Sequence, residues 1–192
     1  MLIGISGKAG SGKDTFGLRL QQCIAAYSGE PLAIRKFAKL LKQIAAITLG
    51  VGYSVFEGSL KNTIIQDHLQ TWKDTPVGKM TFREFLIDLG TNVFRDRYCT
   101  DFWVKRLLDI PKGIITDVRF FNEAEAIRRT QIGSDEEMEP RRGILIRIER
   151  PGLSTGDNIT ETDLDSYPYF DIQVNNTGSL DEFLSKADEV AM

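Results

Sequence analysis

The stretch Gly4-Ile5-Ser6-Gly7-Lys8-Ala9-Gly10-Ser11-Gly12-Lys13-Asp14-Thr15 constrains this chain more than any other. A short apolar run, Leu2 to Ile5, reads as a buried strand. A loop carrying Gly7, Gly10 and Gly12 follows, and a helical pattern then begins at Phe16, Leu18, Leu20, Cys23 and Ile24. Strand, glycine-rich loop and helix in that order form a phosphate-binding P-loop. Glycines let backbone N–H groups turn inward around a phosphate chain, and the new helix adds its unpaired first-turn donors and positive dipole end. On this reading Gly7, Lys8, Ala9, Gly10, Ser11, Gly12 and Lys13 cradle a nucleotide, with Lys13 reaching the β- and γ-phosphates. Where the motif expects a Ser or Thr for Mg²⁺, this chain has Asp14, with Thr15 next.

Composition agrees with a globular nucleotide binder. A chain of 192 residues fits a single domain with a sizeable core. A hydrophobic fraction of 42% is that of an ordinary globule, and a net charge of −3 gives no sign of a nucleic-acid-coating surface, so any polyanion contact must be local. No nucleic-acid partner is expected. Cys23 and Cys99 lack metal-ligand spacing and are expected as reduced core residues, which together with the absence of a signal-peptide pattern points to the cytoplasm. No apolar run is long enough to span a membrane.

The remaining chain alternates strand and helix patterns. The first helix should stop near Ser28-Gly29, before Pro31. Leu32–Phe37 reads as a strand, and Ala38–Leu49 as an amphipathic helix. Residues 51–80 are irregular and hold the single histidine, His68, to which no role is assigned. Thr81-Phe82-Arg83-Glu84 is a capping box opening a helix with an apolar stripe at Phe82, Phe85, Leu86, Leu89 and Val93. Arg95 and Arg97 close that helix. They fit either a solvated helix end that favours cations or a bidentate phosphate clamp, and both readings stay open. Another helix opens around Phe102-Trp103 and runs to about Leu108.

Gly113–Asp117 is an apolar strand ending in a carboxylate, which fits a turn residue, a Mg²⁺ site or a substrate anchor. Arg119 stands two residues on, and a helix follows from Asn122 to about Arg129. Residues 133–142 read as a charged exposed loop. Gly143–Glu149 is a strand delivering Arg147 and Arg150, and a polar segment over about 150–165 suits a lid. Phe170–Val174 is the last strand, and Ser179-Leu180-Asp181-Glu182 caps the final helix. The expected fold is α/β: a three-layer P-loop sandwich with about five parallel strands, helices on both faces and a short lid. Ligands of such sheets sit at the carboxyl ends of the strands, where the P-loop, Asp117, Arg119, Arg150 and Asn175-Asn176 fall.

In order along the chain, Ser6-Gly7, Ser11-Gly12-Lys13-Asp14-Thr15, Leu89-Gly90-Thr91-Asn92, Trp103-Val104, Asp117-Val118-Arg119, Glu149-Arg150-Pro151-Gly152, Ile159-Thr160-Glu161 and Asn175-Asn176-Thr177-Gly178-Ser179-Leu180 resemble the phage-type deoxynucleoside monophosphate kinases. The Gly-Lys-Asp loop is shared with that family and with animal phosphomevalonate kinases, and the last segment is similar to dephospho-CoA kinase. Asn92 and Ala9-Gly10 depart from the family, which often has Asp and a basic residue there. The resemblance implies one domain over residues 1–192, with an acceptor-binding helical region at about 51–110 and a lid at about 150–165. It implies transfer of the γ-phosphoryl group of ATP, with Mg²⁺, to a deoxynucleoside 5′-monophosphate, for deoxynucleotide synthesis. Lys13, Asp117, Arg119 and Arg150 would be catalytic, with Asp14, Thr15 and Asp117 organising Mg²⁺. Arg119, Arg95, Arg97 and Trp103 would meet the acceptor, and Asn175 would lie near adenine. Partners would be small nucleotides, with a homodimer as the implied oligomer. Two alternatives stand beside this: a P-loop kinase of another small acceptor, or a non-catalytic ATP-binding module.

Overall fold

A computed structural model describes residues 1–107, 112–130, 142–153 and 162–192. Residues 133–141 of the charged loop expected over 133–142, the helix end at Leu108 and the central lid residues 154–161 lie outside the described residues. Two compact units divide the chain: Met1–Phe37 with Val104–Met192, and Ala38–Trp103.

The first unit holds a five-stranded sheet, all parallel, in the order β2-β3-β1-β4-β5. Its strands are β1 (Leu2–Gly7), β2 (Ile34–Arg35), β3 (Gly113–Val118), β4 (Ile144–Glu149) and β5 (Ile172–Asn175). β1 and β3 are buried along their whole length, as strands covered on both faces must be. The helices are α1 (Lys13–Ser28), α6 (Phe121–Arg129) and α7 (Leu180–Ala191).

Side-chain alternation assigns the helices to opposite faces. A Cβ built on Gly17 of α1 would lie 2.6 Å from Thr116 and 3.3 Å from Ile5. A Cβ on Gly4, the neighbour of Ile5, would lie 2.7 Å from Ile127 of α6. Since Gly4 and Ile5 point to opposite sides, α1 covers one face and α6 the other. Ile3, Ile5, Ile114, Ile146 and Ile148 pack with Phe16 and Leu20 of α1 and Phe183 of α7 in one apolar cluster. Phe16 and Phe183 meet with ring centroids 5.5 Å apart. Truncating the fully buried Phe16 to Ala should cost about 3–5 kcal/mol.

Strand order fixes where a ligand can sit. The chain leaves β1 toward the β2 edge and leaves β4 toward the β5 edge, so their loops diverge. A crevice opens outside the carboxyl ends of β1 and β4 at this switch point.

The second unit contains α2 (Ala38–Leu49), α3 (Ile65–His68), α4 (Phe82–Asp88) and short 3₁₀ turns, with α5 (Phe102–Leu107) starting in it. The Thr81/Glu84 capping box forms, with Thr81 Oγ1 accepting from Glu84 N at 3.1 Å and Glu84 Oε2 accepting from Thr81 N at 2.7 Å. The bonds that Glu84 Oε2 accepts from Thr81 N and, at 3.0 Å, from Thr81 Oγ1 hold the carboxyl below its ordinary pKa. The helix expected from there does not keep its α period: Leu89–Tyr98 is wound as a π-helix. Trp103 supports this winding, its indole N–H donating to the Gly90 carbonyl at 3.1 Å. No helix among the described residues is long and apolar enough to cross a membrane.

Candidate functional site

The glycine-rich loop at residues 8–12 leaves β1 at the switch point. Gly7 (φ +151°) and Gly12 (φ +100°) adopt backbone angles that side chains disfavour. Space forbids a side chain at Gly7 as well: a Cβ there would lie 2.5 Å from the Ile148 carbonyl and 2.6 Å from Ser11 Oγ. Gly12 occupies the N-cap position of α1 and has no side chain to cap it. The first-turn N–H groups of this 16-residue helix therefore face the loop, an arrangement that favours an anion. The Ser11 hydroxyl is buried and has no hydrogen-bond partner among the described residues. An orphaned hydroxyl beside the first turn of a helix fits phosphate oxygens better than it fits a closed structural turn.

Lys13 is the buried cation of this loop. Its Nζ donates to the carbonyls of Gly7 at 2.6 Å and Lys8 at 2.7 Å, so the ammonium is folded back over the loop. Asp14 and Thr15, next on α1, are exposed. Asp14 Oδ1 accepts from Thr116 Oγ1 at 2.6 Å and pairs with Lys36 at 2.8 Å. Burial pushes the Asp14 pKa up, but the bonds from Lys36 and Thr116 outweigh it and hold the carboxyl below its ordinary value. Thr116 places Asp14 beside the end of β3, where Asp117 stands buried with its Oδ1 accepting from Phe37 N at 2.7 Å. Asp14, Thr15 and Asp117 have the hard oxygen donors that suit Mg²⁺ shared with phosphates. No cluster of three or more His, Cys, Asp or Glu side chains that could hold a metal exists among the described residues.

Arg119 is half-buried at the turn into α6. Its backbone N–H and that of Phe120 donate to Glu123 Oε2 at 2.8 and 3.1 Å, so a buried carboxylate fixes this turn. Arg150 is exposed at the end of β4, its Nη1 donating to the Gly10 carbonyl at 3.3 Å. Beside it lies a cleft of about 370 Å³ lined by Lys8, Arg147, Glu149, Arg150, Asp165 and Asn175, with apolar walls from Ile148, Pro151 and Leu153. The cleft thus gathers three cations around two carboxylates.

Arg147, placed on its strand by the sequence but given no role there, is the best-held side chain of the cleft. It is buried, with Nη1 donating to Ser6 Oγ at 3.2 Å, Nη2 bonded to Asp165 Oδ1, and the guanidinium 5.6 Å from the Phe170 ring centroid. Asp165 also pairs with Lys8 at 3.3 Å. The available signal was an arginine at an inward position of an otherwise apolar strand. Asn176, placed with Asn175 at a strand end by the sequence, was given no role of its own. Asn175 lines the cleft, but it is Asn176 Nδ2 that donates to the Ser11 carbonyl, at 2.9 Å.

Arg95, Arg97 and Trp103 belong to the second unit. Arg95 is buried with Nη1 near the Thr100 carbonyl at 3.4 Å, and Arg97 is exposed. Trp103 is buried among Phe94 and Phe102, both with ring centroids 4.9 Å away. His68 is exposed. Both cysteines are free thiols but half-buried rather than core residues. The Cys23 thiol donates to Asp188 at 2.9 Å, which with burial pushes its pKa up.

These residues build an α/β unit whose parallel sheet carries a glycine-rich, anion-favouring loop at its switch point. No family model matches the chain, and no curated protein matches it.

Proposed function

We propose that the protein is an ATP-dependent phosphotransferase that moves the γ-phosphoryl group to a deoxynucleoside 5′-monophosphate, giving the diphosphate. The observation that carries this reading is the buried Lys13 ammonium, held over the loop carbonyls at the uncapped start of α1 beside the orphaned Ser11 hydroxyl. A phosphate chain would take the place of those carbonyls on Lys13. It would also accept from the loop N–H groups and Ser11 Oγ.

Phosphoryl transfer asks the protein for positioning and charge neutralisation. An oxygen of the acceptor phosphate, already ionised, attacks the γ-phosphorus as the bond to the β,γ-bridging oxygen breaks, and ADP leaves. No general base is required. Mg²⁺ carried with ATP would neutralise phosphate charge, with Asp14, Thr15 and Asp117 as its protein donors. Both contacts to Asp14 use Oδ1, so its second oxygen suits this role. Arg119, on a turn held rigid by Glu123, is assigned to the acceptor phosphate. Arg150, at Gly10, is assigned to the charge that develops during transfer. The Arg147–Arg150 cleft is assigned to the donor nucleoside.

Arg119→Ala tests the assignment. Acceptor binding should be lost with ATP binding intact. Unchanged binding of every nucleotide would favour a module that binds ATP without transferring phosphate.

A further inference from the structure

The paired asparagines at the end of β5 do different work. The Asn175 side chain lines the cleft, while its carbonyl accepts from Lys186 Nζ at 2.6 Å. Asn176 is turned the other way. Its backbone N–H donates to the Glu149 carbonyl at 2.7 Å, continuing the pairing of β5 with β4, and its side-chain Nδ2 donates to the Ser11 carbonyl at 2.9 Å. Only the amide nitrogen can face that oxygen, since a carbonyl accepts and never donates.

The bond matters because of what the same peptide carries on its far side. No peptide bond described is cis, so the Ser11 C=O and the Gly12 N–H point in opposite directions. Holding the carbonyl toward Asn176 aims the Gly12 N–H away from Asn176, to the side of the loop where an anion would sit. Gly12 could swing this plane freely if it were not held, having no Cβ to restrict it. The contact also leaves no room for a side chain at this position: a Cβ at Gly12 would lie 3.0 Å from Asn176 Nδ2 and 2.8 Å from Phe183 Cε1. Asn176 itself is held from its other end. Three residues on, Ser179 caps α7, accepting from Glu182 N at 3.3 Å, and Glu182 Oε2 accepts from Ser179 N at 2.7 Å.

We propose that Asn176 is a positioning residue of the glycine-rich loop, holding the Ser11–Gly12 peptide so that its N–H is presented to the phosphate chain of the nucleotide. This rests on the phosphate-binding reading of the loop given above. The ligand contact is made by Gly12, and Asn176 acts through it. Without Asn176 the peptide must find its orientation as the ligand binds, and affinity falls by the cost of that ordering.

Calorimetric titration with ATP and with inorganic tripolyphosphate, in Mg²⁺ at fixed ionic strength, separates the possibilities. The wild type is compared with Asn176→Leu, which keeps the volume and removes the donor, and with Asn176→Ala. Both ligands should weaken in parallel by about tenfold in both variants, with the ligand-free melting temperature nearly unchanged. In turnover, KM for ATP should rise with kcat held, the mark of a contact equally strong in ground and transition states. Wild-type affinity for both ligands in the variants would overturn the proposal. So would weakened ATP with unchanged tripolyphosphate, which would assign Asn176 to the nucleoside. A loss of affinity that merely follows a large fall in ligand-free melting temperature would make the residue structural and also overturn it. If the wild type binds neither ligand, the phosphate-loop reading itself fails, and this proposal with it.

Discussion

The glycine-rich loop and the π-wound helix at Leu89–Tyr98 both depart from regular backbone, and they are held by different means. At Gly7 the shape comes from the residue: no other side chain fits between the Ile148 carbonyl and Ser11. At Leu89–Tyr98 ordinary residues take the unusual winding because neighbours support it, chiefly the Trp103 indole bond to Gly90 and the tilted and edge-on contacts of Phe94 with Phe102 and Trp103. Irregularity built on residue identity is rigid and local. Irregularity built on tertiary contact depends on the packing of its own unit. A loop proposed to hold phosphate has to be set before the ligand arrives, which Gly7 serves together with the Asn176 bond to the Ser11 carbonyl.

The largest effect that would sharpen this contrast is on activity. Lys13→Met should lower turnover by about a thousandfold, measured by ADP release, because preorganised charge at the transferring group is lost. Loss of a single-digit factor would break the assignment. Next comes a pair of glycine substitutions, compared by denaturant unfolding. Gly7→Ala meets strand backbone and a strained φ and should cost about 3 kcal/mol. Gly90→Ala meets only the movable Leu41 Cδ2, at 2.7 Å, and gains helix propensity, so its net cost should stay below about 1 kcal/mol. Equal costs would erase the distinction between the two regions.

Smaller effects test the supports of the second unit. Trp103→Phe keeps one aromatic ring but removes the donor to Gly90 and part of a buried side chain, for an expected loss of about 2 kcal/mol. Thr81→Ala removes the capping box of α4 and should cost about 1 kcal/mol, leaving ATP affinity unchanged.

The smallest effect is pH-dependent and belongs to the first unit. Hydrogen bonds from Arg19 and Cys23 outweigh burial and lower the Asp188 pKa to about 2. A carboxyl depressed in the folded state adds stability that is fully present above its ordinary pKa, near 4, and is lost as pH falls through the folded value. The melting-temperature difference between wild type and Asp188→Asn should therefore be constant near neutrality and shrink between about pH 4 and pH 2. A difference that grows on acidification would contradict the pairing.

Much of the sheet unit was legible because its signals are local. The expected run Gly113–Asp117 is β3 over Gly113–Val118, and the Ser28-Gly29 stop is a left-handed Gly29 closing α1. Ala38–Leu49 is α2 as its periodicity implies, and both capping boxes formed. Leu32–Phe37, by contrast, pairs only at Ile34–Arg35, since an edge strand has a partner on one side and its length depends on that partner. The π winding was hidden because the stripe of Phe82, Phe85, Leu86 and Leu89 is spaced for an ordinary helix. At the site, chain order alone placed the glycine-rich loop after β1, Asp117 at the end of β3 and Arg150 just beyond β4. Arg147 on Ser6 and Asp165, Lys36 on Asp14, and Asn176 on Ser11 could not be read, because each joins positions far apart in the chain.

The central claim is that this site transfers phosphate between nucleotides. Its most direct test is ADP formation from ATP and Mg²⁺ with dAMP, dGMP, dCMP or dTMP, each against its ribose counterpart and against ATP alone. ADP release should depend on a deoxynucleoside monophosphate, be much weaker with the ribose forms and disappear in Lys13→Met. ATP bound with no acceptor-dependent ADP from any of these nucleotides would contradict it.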